Sequence, residues 1–172
     1  MKLDKSNIIR ITLWLVMLLG GTFVGIYFDK IYFPELFNNL VFHIGSFTVG
    51  YILLRLVLKS AKNTGRYLAK MGREGEIPRL QTNKLVTSGM YGCMRHPMHF
   101  GLMFFFLAFA LLIGSPVFIS IIAPAEMLFM IVMIKLFEEK EAEKKFGQNY
   151  LEYKKEVPFF SVKKECLKML LK

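Results

Sequence analysis

Cysteine is nearly absent from this chain, with only Cys93 and Cys166 among 172 residues. Their spacing offers no metal framework, and both fall in segments that the charge pattern assigns to the cytoplasm. Free thiols are the rule there, so disulfide staples are not expected. No small-residue cleavage site follows the first apolar run, which therefore reads as a retained span and not a removed leader. There is no internal repeat and no low-complexity tract. Acidic residues are in deficit, 13 against 23 basic, for a formal net charge of +10. Yet Lys and Arg flank apolar runs instead of forming a stripe interleaved with aromatics. That arrangement argues against nucleic acid and for anionic lipid headgroups.

Apolar bulk, by contrast, is abundant: 54% hydrophobic residues, with 17 Phe and 11 Met. A soluble domain this short could not hide so many large side chains, so a membrane protein is expected. Residues 8–28 and 36–58 each approach the roughly 20 residues that a ~30 Å hydrocarbon core requires. A longer apolar block is broken by Gly114-Ser115-Pro116, which predicts a tight hairpin of two spans, 98–114 and 117–137. The predicted fold is all-α and polytopic, a single membrane domain of four spans. A cytoplasmic loop, 59–97, and a C-terminal helical cap, 138–172, complete it.

Orientation follows from the basic residues. Lys2, Lys5 and Arg10 precede the first span, and only Lys30 lies between the first two. Lys59, Lys62, Arg66, Lys70, Arg73, Arg79 and Lys84 crowd the middle segment, and Lys140, Lys144, Lys145, Lys154, Lys155, Lys163 and Lys164 follow the fourth span. Positive-inside logic places both termini and the middle segment in the cytoplasm. The short chain, without extra N-terminal spans, suggests a prokaryotic plasma membrane. The alternation of Val162, Leu167, Leu170 and Leu171 with Lys163, Lys164, Lys168 and Lys172 suits an anchoring helix in the headgroup plane. Oligomeric state is not readable from small-residue patterns.

Two clusters carry chemistry. The first lies in Leu85-Val86-Thr87-Ser88-Gly89-Met90-Tyr91-Gly92-Cys93-Met94-Arg95-His96-Pro97-Met98-His99-Phe100-Gly101. Pro97 suits the first turn of a helix, with His96 at its cap near unpaired N–H groups that attract anions. Gly89, Gly92 and Gly101 would admit a ligand close to the backbone. The second cluster, Glu138-Glu139, emerges where the fourth span ends and should face the Arg95 region. A carboxylate there can accept both hydroxyls of a ribose or stand beside a cationic sulfonium. Within the spans, His43 and Glu126 are costly ionisable groups, expected to pair with each other or to be held by backbone. Trp14 and Phe104-Phe105-Phe106 read as lipid-facing or packing residues.

The ordered set Leu-Val-Thr-x-Gly-x-Tyr-x-x-x-Arg-His-Pro, two spans, Glu-Glu, then Phe-Gly-x-x-Tyr-x-x-Tyr-x-x-x-Val-Pro resembles the isoprenylcysteine carboxyl methyltransferase and phospholipid methyltransferase group. The resemblance covers roughly 82–160. It implies an integral membrane enzyme that uses S-adenosylmethionine without a Rossmann fold. The cofactor would contact Leu85, Val86, Tyr91, His96, Pro97, Met98, His99, Glu138 and Glu139. The acceptor, lipid-like or prenylated, would enter from the bilayer. On that basis Glu138 positions the cofactor near the acceptor, and Arg95 organises the loop and the cofactor carboxylate; these are the candidate catalytic residues. Two departures stand out. Relatives usually have Tyr in place of His99. Prenylcysteine methyltransferases have Arg where this chain has Ile134, so Lys135 is the candidate acceptor-binding residue, a point charge without a bidentate fork. Amine, thiol and headgroup acceptors therefore stay open beside a carboxylate. A sterol-type membrane reductase using NADPH and a non-catalytic transporter or sensor are the alternative readings.

Overall fold

A computed structural model describes residues 5–77 and 81–172, with side chains of the first helix described at Ile9 and from Ile11 onward. Lys2, Arg79 and the side chains of Lys5 and Arg10, counted above for orientation, lie outside the described residues. Among those described, every regular element is helical. The elements are α1 (Lys5–Tyr32), α2 (Pro34–Phe37), α3 (Leu40–Met71), α4 (Met90–Cys93), α5 (Pro97–Ile113), α6 (Ala123–Met133), α7 (Glu139–Phe146), α8 (Gln148–Glu156) and α9 (Lys164–Leu170). Single π-helical turns, Phe118–Ile122 and Ile134–Glu138, flank α6.

Three stretches are long and apolar enough to cross a membrane: Ile11–Tyr32, Leu40–Met71 and Phe118–Phe146. The remaining apolar helix, α5, has 17 residues, about 26 Å at 1.5 Å per residue and short of a ~30 Å core. α3 also outruns the expected second span: the helix continues to Met71, so the first part of the predicted middle loop is helical.

The chain divides into two compact units. The first comprises Met1–Leu54 and Phe105–Phe129. In it Trp14 stacks on Phe106 with ring centroids 4.7 Å apart, and Phe106 is fully buried, so these aromatics pack. The buried Asp29 accepts the Val117 N–H at 2.7 Å and ties α1 to the residues after the hairpin turn. That turn is made at Gly114, whose φ of +72° places it in the left-handed region. A Cβ there would also collide with the ring of His43. Phe23 and Val41 are 73% and 78% exposed on their helices, as lipid-facing side chains should be.

His43 and Glu126 do not pair. The His43 ring bonds the Phe37 carbonyl one turn beyond its own helix start. Glu126 instead lies against Gly21 of α1, and among the described residues its buried Oε2 has no hydrogen-bond partner. Depth along a helix brought the two together on paper. The faces on which they sit point them at different neighbours.

The second unit comprises Arg55–Phe104 and Met130–Lys172. α9 packs on α4 around the buried Met94, Cys166 and Leu170, with Leu167 and Leu171 against the same cluster. One face of the C-terminal helix is thus seated on protein. This packing also overturns the expectation of free thiols. Cys93 and Cys166 form a disulfide, their Cα atoms 5.6 Å apart across 73 residues. Nothing in that sequence separation reveals the pairing; only the docking of α9 creates it.

Candidate active site

The candidate site lies wholly within the second unit. α3 ends at Met71, and the carbonyl of Gly72 just beyond it accepts the N–H groups of Asn83 and Lys84 at 3.0 and 3.2 Å. The Asn83 side chain bonds both the N–H and the carbonyl of Glu74, at 2.8 and 2.7 Å. The returning segment is thereby pinned to the end of α3, and Lys84, Leu85 and Val86 follow along one wall of a cleft. At Gly89 the backbone turns with φ +59°, and a Cβ would strike the Tyr67 hydroxyl. Gly101 lies equally tightly on Ser60. These two glycines serve close packing of the chain on itself, not the approach of a ligand. Tyr67 stacks on Tyr91, rings 16° from parallel, and Tyr153 donates its hydroxyl to the Tyr91 carbonyl at 2.5 Å.

Pro97 opens α5 as its first residue and is fully buried. Ahead of it, Arg95 and His96 donate backbone N–H groups to the carbonyls of Pro158 and Phe159. The π-helical turn Ile134–Glu138 delivers the two carboxylates from the other arm of the hairpin. Glu139 Oε1 accepts from Arg95 Nε at 2.9 Å, from Arg95 Nη2 at 2.7 Å and from His96 Nε2 at 3.2 Å. Lys154 reaches its Oε2 at 3.1 Å and Glu143 at 2.8 Å, contacts that hold the lysine pKa above its ordinary value, Glu143 first. Arg95 Nη1 donates to the carbonyls of Lys154 and Val157. With side chains 9% and 7% exposed, Arg95 and Glu139 form a buried, almost fully bonded ion pair.

Burial, helped by the neighbouring His99, pushes the His96 pKa from 6.5 down to about 4 against the pull of Glu139. A neutral His96 bonded to a carboxylate must carry its proton on Nε2, which leaves Nδ1 as a lone pair. Glu138 meets His99, Oε2 to Nε2, at 3.1 Å. Burial keeps the phenols of Tyr91 and Tyr153 protonated and raises that of Tyr150 to about 12. The Tyr150 hydroxyl is buried beside the Arg95 guanidinium.

Of the residues singled out from sequence, Leu85, Val86, Tyr91, Arg95, His96, Met98, His99 and Glu138 all line this cleft. Pro97 and Glu139 stand behind it, one as a helix start and the other as the anchor of Arg95. Lys135 is exposed and sits over the ring of Phe159 at 5.4 Å, outside the cleft lining. Lys84 and Tyr150 line it too and were not foreseen. Tyr150 stands in the Phe-Gly-x-x-Tyr motif, a signal that was legible; Lys84 looked like one more basic flank. Ligand atoms of His96, His99 and Glu138 lie within 4.8 Å of one another. The chemistry of the lining also suits a nucleoside. It has an apolar wall for a flat base, a carboxylate for a ribose diol and donors for polar ends.

The model of the phospholipid methyltransferase family matches residues 38–149, a stretch that contains the cleft from Lys84 to Glu138. The chain belongs to the phospholipid methyltransferase family. Together with its three long apolar helices, this makes it a multi-pass membrane protein. Among similar proteins, Protein-S-isoprenylcysteine O-methyltransferase B of Arabidopsis thaliana is 31% identical over 111 residues, 64% of this chain and 52% of its own. Protein-S-isoprenylcysteine O-methyltransferase of Schizosaccharomyces pombe is 27% identical over 164 residues, 84% of this chain and 64% of its own. The chain thus spans between about half and about two thirds of the length of these curated relatives.

Proposed function

We propose that this protein is a membrane methyltransferase that uses S-adenosylmethionine to methylate a hydrophobic or membrane-embedded acceptor, a prenylcysteine carboxylate or a lipid headgroup. The observation that carries this reading is the meeting, in one cleft, of Leu85 and Val86 with Glu138 from the far arm of the hairpin. Leu85, Val86, Tyr91, His96, Met98 and His99 would hold the cofactor, with Glu138 at its ribose or sulfonium. When bound, the sulfonium supplies an electrophilic methyl group. The side chains then have little acid–base work; their contribution is orientation, a term that reaches roughly 7–11 kcal/mol in favourable cases. Neutral His96 offers an acceptor lone pair and no competing positive charge.

Arg95 and Glu139 act one layer out. With its guanidinium committed to Glu139 and two carbonyls, Arg95 fixes the segment that carries His96. Lys135, over Phe159 beside the His96 ring, is the cation offered to an anionic acceptor. α5 is the fourth, short span, and the basic segments 59–97 and 138–172 lie on one side of the membrane.

Calorimetry on the purified chain in detergent, with S-adenosylhomocysteine and NADPH, tests the reading. S-adenosylhomocysteine should bind and NADPH should not; the reverse result would replace a transferase with a reductase, and binding of neither would leave a non-catalytic scaffold. With labelled cofactor and a panel of prenylcysteines, amino-phospholipids and apolar thiols, Glu138→Gln should lose transfer while keeping the fold.

A further inference from the structure

The cofactor named above has a carboxylate at the end remote from its base. A carboxylate brought into a half-apolar cleft needs a cation or several N–H donors, because an unpaired buried charge is expensive. Arg95 is the obvious candidate from sequence, and its geometry disqualifies it. Nε and Nη2 are spent on Glu139 and Nη1 on the carbonyls of Lys154 and Val157, with the side chain 9% exposed. His96 is bound to Glu139, and His99 is turned to Glu138.

Lys84 differs on each count. It lines the same cleft, yet its side chain is 61% exposed, and its ion pair is a long 3.9 Å contact to Glu74, itself 77% exposed. An exposed pair of that kind contributes little and is easily surrendered. The backbone beneath it is firm: Asn83 and Lys84 are bonded to Gly72, and Asn83 bridges Glu74. A flexible four-carbon stem therefore rises from a fixed root directly before Leu85 and Val86, where the base would rest.

From this we infer that Lys84 is the cofactor-binding residue that receives the carboxylate of S-adenosylmethionine, an assignment that rests on the cofactor reading above. A matched pair of ligands isolates the contact. S-adenosylhomocysteine carries the carboxylate; 5′-methylthioadenosine keeps the base, ribose and sulfur but lacks the amino-acid end. Calorimetry on the full chain in detergent should show Lys84→Gln weakening S-adenosylhomocysteine about tenfold, about 1.4 kcal/mol, and leaving 5′-methylthioadenosine unchanged. Lys84→Glu should weaken the first ligand further, and added salt should shrink the difference. Retained binding of 5′-methylthioadenosine doubles as proof of fold. Equal affinity of wild type and Lys84→Gln for S-adenosylhomocysteine would overturn the assignment, as would equal loss of both ligands. Failure of the wild type to bind S-adenosylhomocysteine would strike the cofactor reading itself.

Discussion

Glu139 Oε1 takes two hydrogen bonds from one guanidinium, Arg95 Nε at 2.9 Å and Nη2 at 2.7 Å, across 44 residues of chain. This contact clasps the entry of the apolar hairpin to its exit. It also separates the two carboxylates in role, since Glu138 faces the cleft while Glu139 backs it. Neighbouring residues on a helix point about 100° apart, so one turn can supply both a ligand-facing and a scaffold-facing acid.

Removing one partner of this buried pair should be severe. Arg95→Ala leaves the Glu139 carboxylate with Lys154 and His96 alone, and the expected loss is about 3–5 kcal/mol of stability. Arg95→Lys keeps the charge but not the fork, and should fall between the two. Thermal melting in detergent reads both. An unchanged midpoint for Arg95→Ala would show that the pair is not structural.

His96 should remain uncharged through neutral pH, because its folded pKa lies near 4 against 6.5 when exposed. Between those values the unfolded chain binds more protons than the folded one, so stability rises with pH. The contribution is complete above 6.5 and fades as pH falls toward 4. Melting temperatures followed from about pH 7 to about pH 5 should drop more steeply for wild type than for His96→Gln. Parallel curves would place the buried base elsewhere.

The Cys93–Cys166 bridge closes a span of 73 residues between α4 and α9. Loss of such a link costs on the order of 2–4 kcal/mol. Protein purified without reductant should take up no maleimide and then two equivalents after reduction, while Cys93→Ser should melt at lower temperature. Two reactive thiols in the unreduced protein would contradict the bridge.

His43 and Glu126 should behave independently. His43 is held by the Phe37 carbonyl and Glu126 faces Gly21, with no shared partner. A double-mutant cycle with His43→Ala and Glu126→Gln should be additive within about 0.3–0.5 kcal/mol. A larger coupling would restore the intramembrane pair.

Much of the site was legible because its chemistry is local. Arg95-His96-Pro97 spells a helix start wherever it stands, and Glu138-Glu139 marks the end of an apolar run. What misled was distance. Cys93 and Cys166 looked unrelated, the C-terminal lysines masked a helix whose apolar face seats on Met94, and Lys84 was one basic residue among many in its segment.

Apolar run lengths, the Gly114 break and the distribution of lysines were enough to specify an all-helical membrane chain with a hairpin, since those features act through solvation and backbone geometry alone. Which carboxylate faces the cleft and which one braces, whether Arg95 is free or spent, and what the two cysteines do were decided by packing. Each of these turns on a partner tens of residues away, and a hydrogen bond is made or missed over a fraction of an ångström that no spacing in a sequence can express.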